Sequence, residues 1–335
     1  MTSTRFKSSK IVISGLLATA VAAPVWADLH KCVDKQNRTF YQDKPCQEMS
    51  SAKLSGSLSR MGAKEEAKAF FWKATDQKGT LYLLGSMHFG GQSPFTLPQM
   101  VNDAFKASDV LVVEADIETL SEKELANGLQ GKGRYADNTK LEDHVKPITW
   151  KKTLELGNQL GINEEALLPL KPWLAALILA TKSLNKQGYT VETGVDKSLI
   201  AQAQGKKPVV ELENTEAEID LIDRFSDQEQ EQMLLHALQK LSRGGENQKN
   251  GIDAWKDGDA EAMELVVRQS FDSGQLGSKL YKVFLSDRNE RMANRLADLA
   301  KDGRTYFIIV GADHLGGQSG ILKSLEDKGY NITQP

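Results

Sequence analysis

From residue 69 onward the chain alternates short apolar runs with stretches in which apolar residues return every three or four positions, the two spacings that separate buried strands from amphipathic helices. "AFFWKAT" and "TLYLLG" flank "DQKG" and predict a β-hairpin. "LPQMVNDAFKASD" (97–109) has helical spacing and leads into "VLVVEAD" (110–116), an uninterrupted apolar run of the kind found in strands buried on both faces. Residues 119–207 read mostly as helix, most plainly "KPWLAALILATKSLNKQG" (171–188), where Pro172 suits the first turn. "KPVVELEN" (207–214) predicts a further strand, 215–302 a long helical region and "RTYFIIVGADH" (304–314) another buried strand, before a helix at "GILKSLEDKGY" and a terminal "NIT" strand. Strands separated by helices predict an α/β fold: a central sheet with flanking helices, the helical middle forming an insertion or cap.

The first 68 residues follow another pattern. Arg5, Lys7 and Lys10 precede the apolar stretch "IVISGLLATAVAAPV" (11–25), and "VWA" ends in a small residue. This reads as a Sec-type signal peptide over 1–27, with an apolar run too short for a comfortable membrane span. The expectation is a periplasmic or secreted protein with no stable membrane span once the leader is cut. Residues 28–46, "DLHKCVDKQNRTFYQDKPC", predict a small hairpin, and 47–68, rich in Ser, Gly and Lys, a linker to a main domain at 69–335. The chain's two cysteines, Cys32 and Cys46, both fall in that hairpin; in an exported protein they are expected as a disulfide, contributing about 3 kcal/mol by closing the loop. The segment resembles a short domain of unknown function with a "KCVDxxGxxxYxDxPC" pattern, common at the start of exported bacterial proteins, with Asn37 in place of the turn glycine.

With 335 residues, 40% hydrophobic and 26% charged, the chain can bury a full core. Losing Arg5, Lys7 and Lys10 with the leader takes the formal charge from −3 to −6, which argues against nucleic acid as a partner.

The candidate chemistry lies at the ends of the apolar strands. "GSMHFGGQS" (85–93) returns as "GADHLGGQS" (311–319), identical at six of nine positions, each copy following an apolar run. "VLVV" runs into Glu114 and Asp116, and "KPVVEL" into Glu213. Ligands of α/β sheets sit outside the carboxyl ends of the strands, so these groups can converge. Gly85 and Gly311 are expected to turn the chain through φ values closed to other residues, and Gly90, Gly91, Gly316 and Gly317 to let backbone approach a ligand. Two imidazoles with a carboxylate, His88, His314 and Glu114, form a ligand set for a divalent transition metal (Mn, Co or Zn) with an open position for water. Such a metal lowers the pKa of bound water and polarises a carbonyl, as amide or ester hydrolysis requires. A strand-end histidine on its own is more often structural; repetition within one frame is what favours function here. Glu213 is balanced by its acidic run (Glu211, Glu213, Glu216, Glu218), which fits a solvated helix start equally well. Asp116 and Asp313 fit either a supporting or a surface role, while His30, His144 and His236 read as structural. There is no HExxH, GxSxG or P-loop, and nothing marks Ser86 or Ser319 as an activated nucleophile.

The segments "LYLLGSMHFG", "VLVVEADI", "LKPWLAALIL", "TGVDKSLI", "KPVVELENTEAEI", "FLSDRNERMANRL" and "YFIIVGADHLGGQSG" occur in the order of the TraB/GumN branch of the TraB–Tiki superfamily, which the chain resembles from residue 69 to its end. The resemblance implies a fold similar to erythromycin-esterase and ChaN-type proteins and a metal-dependent, protease-like hydrolase, as in animal Tiki members. It places the motif histidines at His88 and His314, the intervening glutamate at Glu114, and the family's arginine and asparagine at Arg288 and Asn289. Ser86 stands where many members have Thr, and Asp313 where a small residue is frequent. An arginine at 288 could hold a substrate carboxylate or an oxyanion; without the resemblance it reads as a helix-surface charge. The expected function is thus an exported metallohydrolase of peptides or proteins, with His88, His314 and Glu114 on the metal and Glu213 or Glu114 taking the proton from water. The alternatives are a metal-independent His/Glu esterase-like hydrolase and a non-enzymatic metal- or haem-binding envelope protein.

Overall fold

The computed structural model describes residues 69–335 apart from 88, 91–95, 116–128, 130, 191–192, 243–245 and 272–273, together with two N-terminal strands. Those strands, β1 (His30–Val33) and β2 (Thr39–Gln42), pair antiparallel with Cys32 opposite Phe40. The expected leader (1–27), the linker (47–68) and Cys46, hence the expected staple, lie outside the described residues.

The main domain is built on six strands: β3 (Phe71–Thr75), β4 (Thr80–Ser86), β5 (Val110–Val113), β6 (Val209–Glu211), β7 (Thr305–Gly311) and β8 (Asn331–Thr333). Their order is β6-β5-β7-β4-β3-β8. β6, β5, β7 and β4 run parallel, while β3 is antiparallel to both β4 and β8, so the sheet is mixed. The β3–β4 hairpin closes through Asp76, whose Oδ1 accepts the N–H groups of Lys78 and Gly79 at 2.8 Å each. β5 and β7 are central, which explains their unbroken apolar sequences: all four residues of β5 and the last six of β7 are buried.

The helices that pack around this sheet and one another include α1 (Gln99–Ala107), α2 (Pro147–Gln159), α3 (Pro172–Lys186), α4 (Val195–Ala203), α5 (Asp227–Ser242), α6 (Glu246–Lys256), α7 (Ala260–Ser270), α8 (Gln275–Tyr281), α9 (Asp287–Leu299) and α10 (Ile321–Asp327), with a further helix, Thr215–Asp223, between α4 and α5 in the chain. They divide between two apolar cores. α1, α4, α6, α7, α9 and α10 bury residues against the sheet, whereas α2, α3, α5 and α8 form a separate helical core around Trp173, Leu177, Leu234 and Phe284. Pro172 stands in the first turn of α3, where its missing N–H costs no helical bond. α9 shows how the site is built into the packing. Its buried residues, Arg288, Asn289, Met292, Ala293 and Leu296, recur at helical spacing on one face, so the first two polar side chains are carried inward by the three apolar ones.

Candidate functional site

Three strand ends bring the candidate residues together. Ser86 at the end of β4 is paired with Gly311 at the end of β7, so the two copies of the repeated frame leave neighbouring parallel strands. One residue past β5, Glu114 donates its N–H to Ile309 O at 3.1 Å, and its carbonyl accepts the Glu213 N–H at 2.9 Å. The Glu114 and Glu213 backbones are thereby joined across the extended β5–β6 edge.

The Arg288 guanidinium lies between the two carboxylates. Its Nη2 is 2.6 Å from Glu114 Oε1 and 2.6 Å from Glu213 Oε2, its Nε donates to Glu213 Oε2 at 2.7 Å, and its Nη1 donates to Phe284 O at 3.3 Å. Both Arg288 and Glu114 are almost fully buried, at 2% and 3% exposure, and Glu213 is 10% exposed. The surface-charge expectation for Arg288 is therefore wrong: the apolar face of α9 buries it, and two carboxylates offset the cost of desolvating a charge. Glu213 likewise does not belong to a solvated acidic run; Arg291 Nη2 reaches its other oxygen at 3.3 Å. The second oxygen of Glu114 accepts the Gly311 N–H at 2.9 Å, tying the carboxylate to the β7 turn.

His314 is fully buried. The Asn289 Nδ2 donates to the Ser319 carbonyl at 2.8 Å, an acceptor only, so Asn289 must turn its Oδ1 toward His314. The Oδ1 to His314 Nδ1 distance is 2.5 Å. An amide oxygen accepts only, so Nδ1 carries the hydrogen, and in the neutral ring Nε2 presents a bare lone pair. That nitrogen is buried and makes no hydrogen bond; Glu114 Oε1 stands 3.5 Å away. Burial pulls the His314 pKa down, but the carboxylates of Glu114 and Asp313 outweigh it against partial opposition from Arg288, leaving the pKa above the ordinary imidazole value. A buried, oriented imidazole nitrogen beside a carboxylate fits a metal's ligand set, with the Asn289 contact in the supporting place a carbonyl or carboxylate commonly takes. Among the described residues no three His, Cys, Asp or Glu side chains are grouped to hold a metal ion. His88 and Asp116 lie outside the described residues.

The residues on either side of position 88 are held in place. Met87 packs on the sheet core and Phe89 on the helical core. Gly90 exchanges two 2.9 Å backbone hydrogen bonds with Thr190, and the Val195 N–H reaches Met87 O at 3.3 Å. Trp255 Nε1 donates to Gly85 O at 2.7 Å. The glycines serve packing more than ligand approach. A Cβ on Gly85 would stand 2.3 Å from the Phe70 ring, and one on Gly90 2.0 Å from Thr193 O. Gly311 has an ordinary φ of −50°. Of the motif glycines described, Gly317 alone takes positive φ, +78°. Ser86 Oγ donates to Val310 O at 3.2 Å, a structural use of its hydroxyl. His144 stacks on Tyr135 and contacts Thr139 and Asp227.

Sequence reasoning missed three members of this arrangement. Tyr281 OH meets Ser319 Oγ at 2.7 Å, Ser319 O holds Asn289, and Trp255 supports the first copy of the frame. A signal existed for Ser319, which is one of the six repeated positions. None existed for Tyr281, because a five-residue π-helical segment, Lys282–Ser286, separates it from α9 and breaks the α-helical period.

The sequence model of the TraB/PrgY/gumN family matches residues 70–334. Among curated proteins, the uncharacterized protein YbaP of Escherichia coli K12 is 25% identical over 245 residues, covering 73% of this chain and 87% of the relative, and YbaP of Shigella flexneri matches to the same extent. No solved structure matches.

Proposed function

Because the chain belongs to the TraB/PrgY/gumN family, we propose that it is an exported metal-dependent hydrolase acting on peptides or proteins. The observation that carries this reading is the His314 Nε2 atom, buried and without a hydrogen-bond partner, in a ring held at Nδ1 by Asn289, with Glu114 Oε1 at 3.5 Å. His314 Nε2, Glu114 and His88 of the first copy would hold the metal. Bound there, Mn, Co or Zn supplies Lewis acidity and a water of lowered pKa.

The chain's own residues do the rest. Arg288 fixes the Glu114 carboxylate in direction and offsets its charge, so that both its oxygens are held before substrate arrives. The N–H groups of Arg288 point at Glu114, Glu213 and Phe284 O, so in this reading it positions the carboxylates and does not reach an oxyanion. Glu213, the more exposed of the two carboxylates, takes the proton from the attacking water. Asn289 sets the direction of the imidazole. Among the described residues no helix is long and apolar enough to cross a membrane; the periplasmic or secreted location in this reading rests on the leader pattern over 1–27.

A second reading is favoured by the two arginines at the carboxylates, Arg288 on Glu114 and Glu213 and Arg291 on Glu213, which together offset both negative charges: His314 and Glu114 then act as an acid–base pair on an ester. Purified mature protein, assayed on peptide and ester panels with and without chelator, separates them. Peptide cleavage lost to chelator, restored by Mn, Co or Zn and absent from the His88→Ala/His314→Ala variant is expected. Cleavage that survives both treatments overturns the metal reading, and chelator-insensitive ester turnover supports the second.

A further inference from the structure

We propose that Tyr281 and Ser319 are positioning residues for His314, acting through Asn289 to fix which ring nitrogen carries the hydrogen. Asn289 receives its orientation from the Ser319 carbonyl (2.8 Å), and the Ser319 side chain is gripped in turn by Tyr281 OH (2.7 Å). The same residue is thus held at its backbone by Asn289 and at its hydroxyl by Tyr281. On a regular α-helix two residues eight apart stand about 80° apart around the axis. One extra residue in a turn, as i to i+5 pairing inserts, takes back about 100°, leaving them within about 20° of one face. The π segment Lys282–Ser286 lies between Tyr281 and Asn289, and its bond from Asp287 N–H to Lys282 O is such an i to i+5 pair. The irregular turn therefore lets both side chains converge on Ser319.

Other contacts secure the gripping residue. The Tyr281 ring meets Phe271 edge-on at 5.5 Å and lies under Arg268 at 4.8 Å. On the far side of the loop, Gly316 packs against Ala260 O and Gly317 against Glu264, both on α7, so the chain bearing Ser319 is backed by a helix. The repeated serine of the second frame is accordingly used to orient the histidine five residues before it. The consequence for metal uptake rests on the hydrolase reading above; the tautomer itself does not.

The test uses the full chain labelled with 15N-histidine, metal-free, at a pH where the His314 ring is neutral, with its signals assigned by their loss in His314→Gln. In the unmodified protein the two ring nitrogens of His314 are expected well separated, as a single Nδ1–H tautomer. In Tyr281→Phe, which keeps the ring contacts, and in Ser319→Ala they are expected to move toward each other as the two tautomers mix, with the double variant no worse than the worse single one. Ser319→Thr, which restores a hydroxyl, is expected to restore the separation. Zn2+ affinity is expected to fall about ten-fold in the two hydroxyl deletions, the lower end of the usual effect for groups that orient a ligand. An unchanged tautomer in both Tyr281→Phe and Ser319→Ala overturns the proposal. Absence of Zn2+, Mn2+ and Co2+ binding by the unmodified chain overturns the hydrolase reading alone, because the tautomer is read without metal.

Discussion

Replacing Arg288 by Met keeps most of the stem's volume and removes the charge between two carboxylates. Glu114, 3% exposed, loses a 2.6 Å ion pair, and Glu213, 10% exposed, loses contacts at 2.6 and 2.7 Å. Breaking a buried pair by deleting one partner costs about 3–5 kcal/mol. Here two compensations remain: Glu114 keeps the Gly311 N–H at 2.9 Å, and Glu213 keeps Arg291 and some solvent. They place Arg288→Met near the lower end, a loss of about 3 kcal/mol. Urea unfolding followed by tryptophan fluorescence reads this as a lower midpoint at unchanged slope. Adding Glu114→Gln to Arg288→Met removes the stranded charge and is expected to return about 1–2 kcal/mol, a coupling of the size shared networks show. A loss below about 1 kcal/mol, or a double variant weaker than the single by the full cost of Glu114→Gln alone, would refute the account of a charge network that needs its arginine.

Three further outcomes follow from the geometry. His314 has a folded pKa above its unfolded one, so its contribution to stability is fully present below the unfolded pKa and is lost as pH rises through the folded value; His314→Gln should therefore destabilise more at pH 5.5 than at pH 9, read by thermal melts across that range. Gly85→Ala puts a methyl 2.3 Å from Phe70 and should cost about 1–3 kcal/mol in chemical denaturation, with Phe70→Leu in the same chain recovering part of it. Trp255→Phe leaves Gly85 O without its buried 2.7 Å donor and should cost about 1–3 kcal/mol, seen as faster amide exchange in the β4 end.

Much of the sheet was legible because burial on both faces leaves a plain trace: "VLVV" and "YFIIV" are central strands, and "DQKG" marks the β3–β4 hairpin. The α/β class and the helical middle followed from the same spacing. The strand order was not legible, since which parallel strands become neighbours depends on how the intervening helices pack. The antiparallel pairing of β8 on β3 joins residues more than 250 positions apart and leaves no local sign. At the site, Glu114 was found because it ends an apolar run. Arg288 and Asn289 were reachable only by resemblance, though "RNERMANRL" does set them in phase with Met292, Ala293 and Leu296. The motif glycines misled. A sequence shows that a side chain is missing but not what fills the space, and here Phe70, Thr193 and Ala260 fill it.

Whether His88 and His314 share one metal is decided by calorimetric titration of Zn2+ or Mn2+ into the metal-free protein and its single-histidine variants. Uptake of about one ion per chain is expected, the stoichiometry of a single shared site, abolished in both His88→Ala and His314→Ala. Uptake that persists unchanged in either variant would contradict it, because the two copies of the frame would then not supply ligands to one metal.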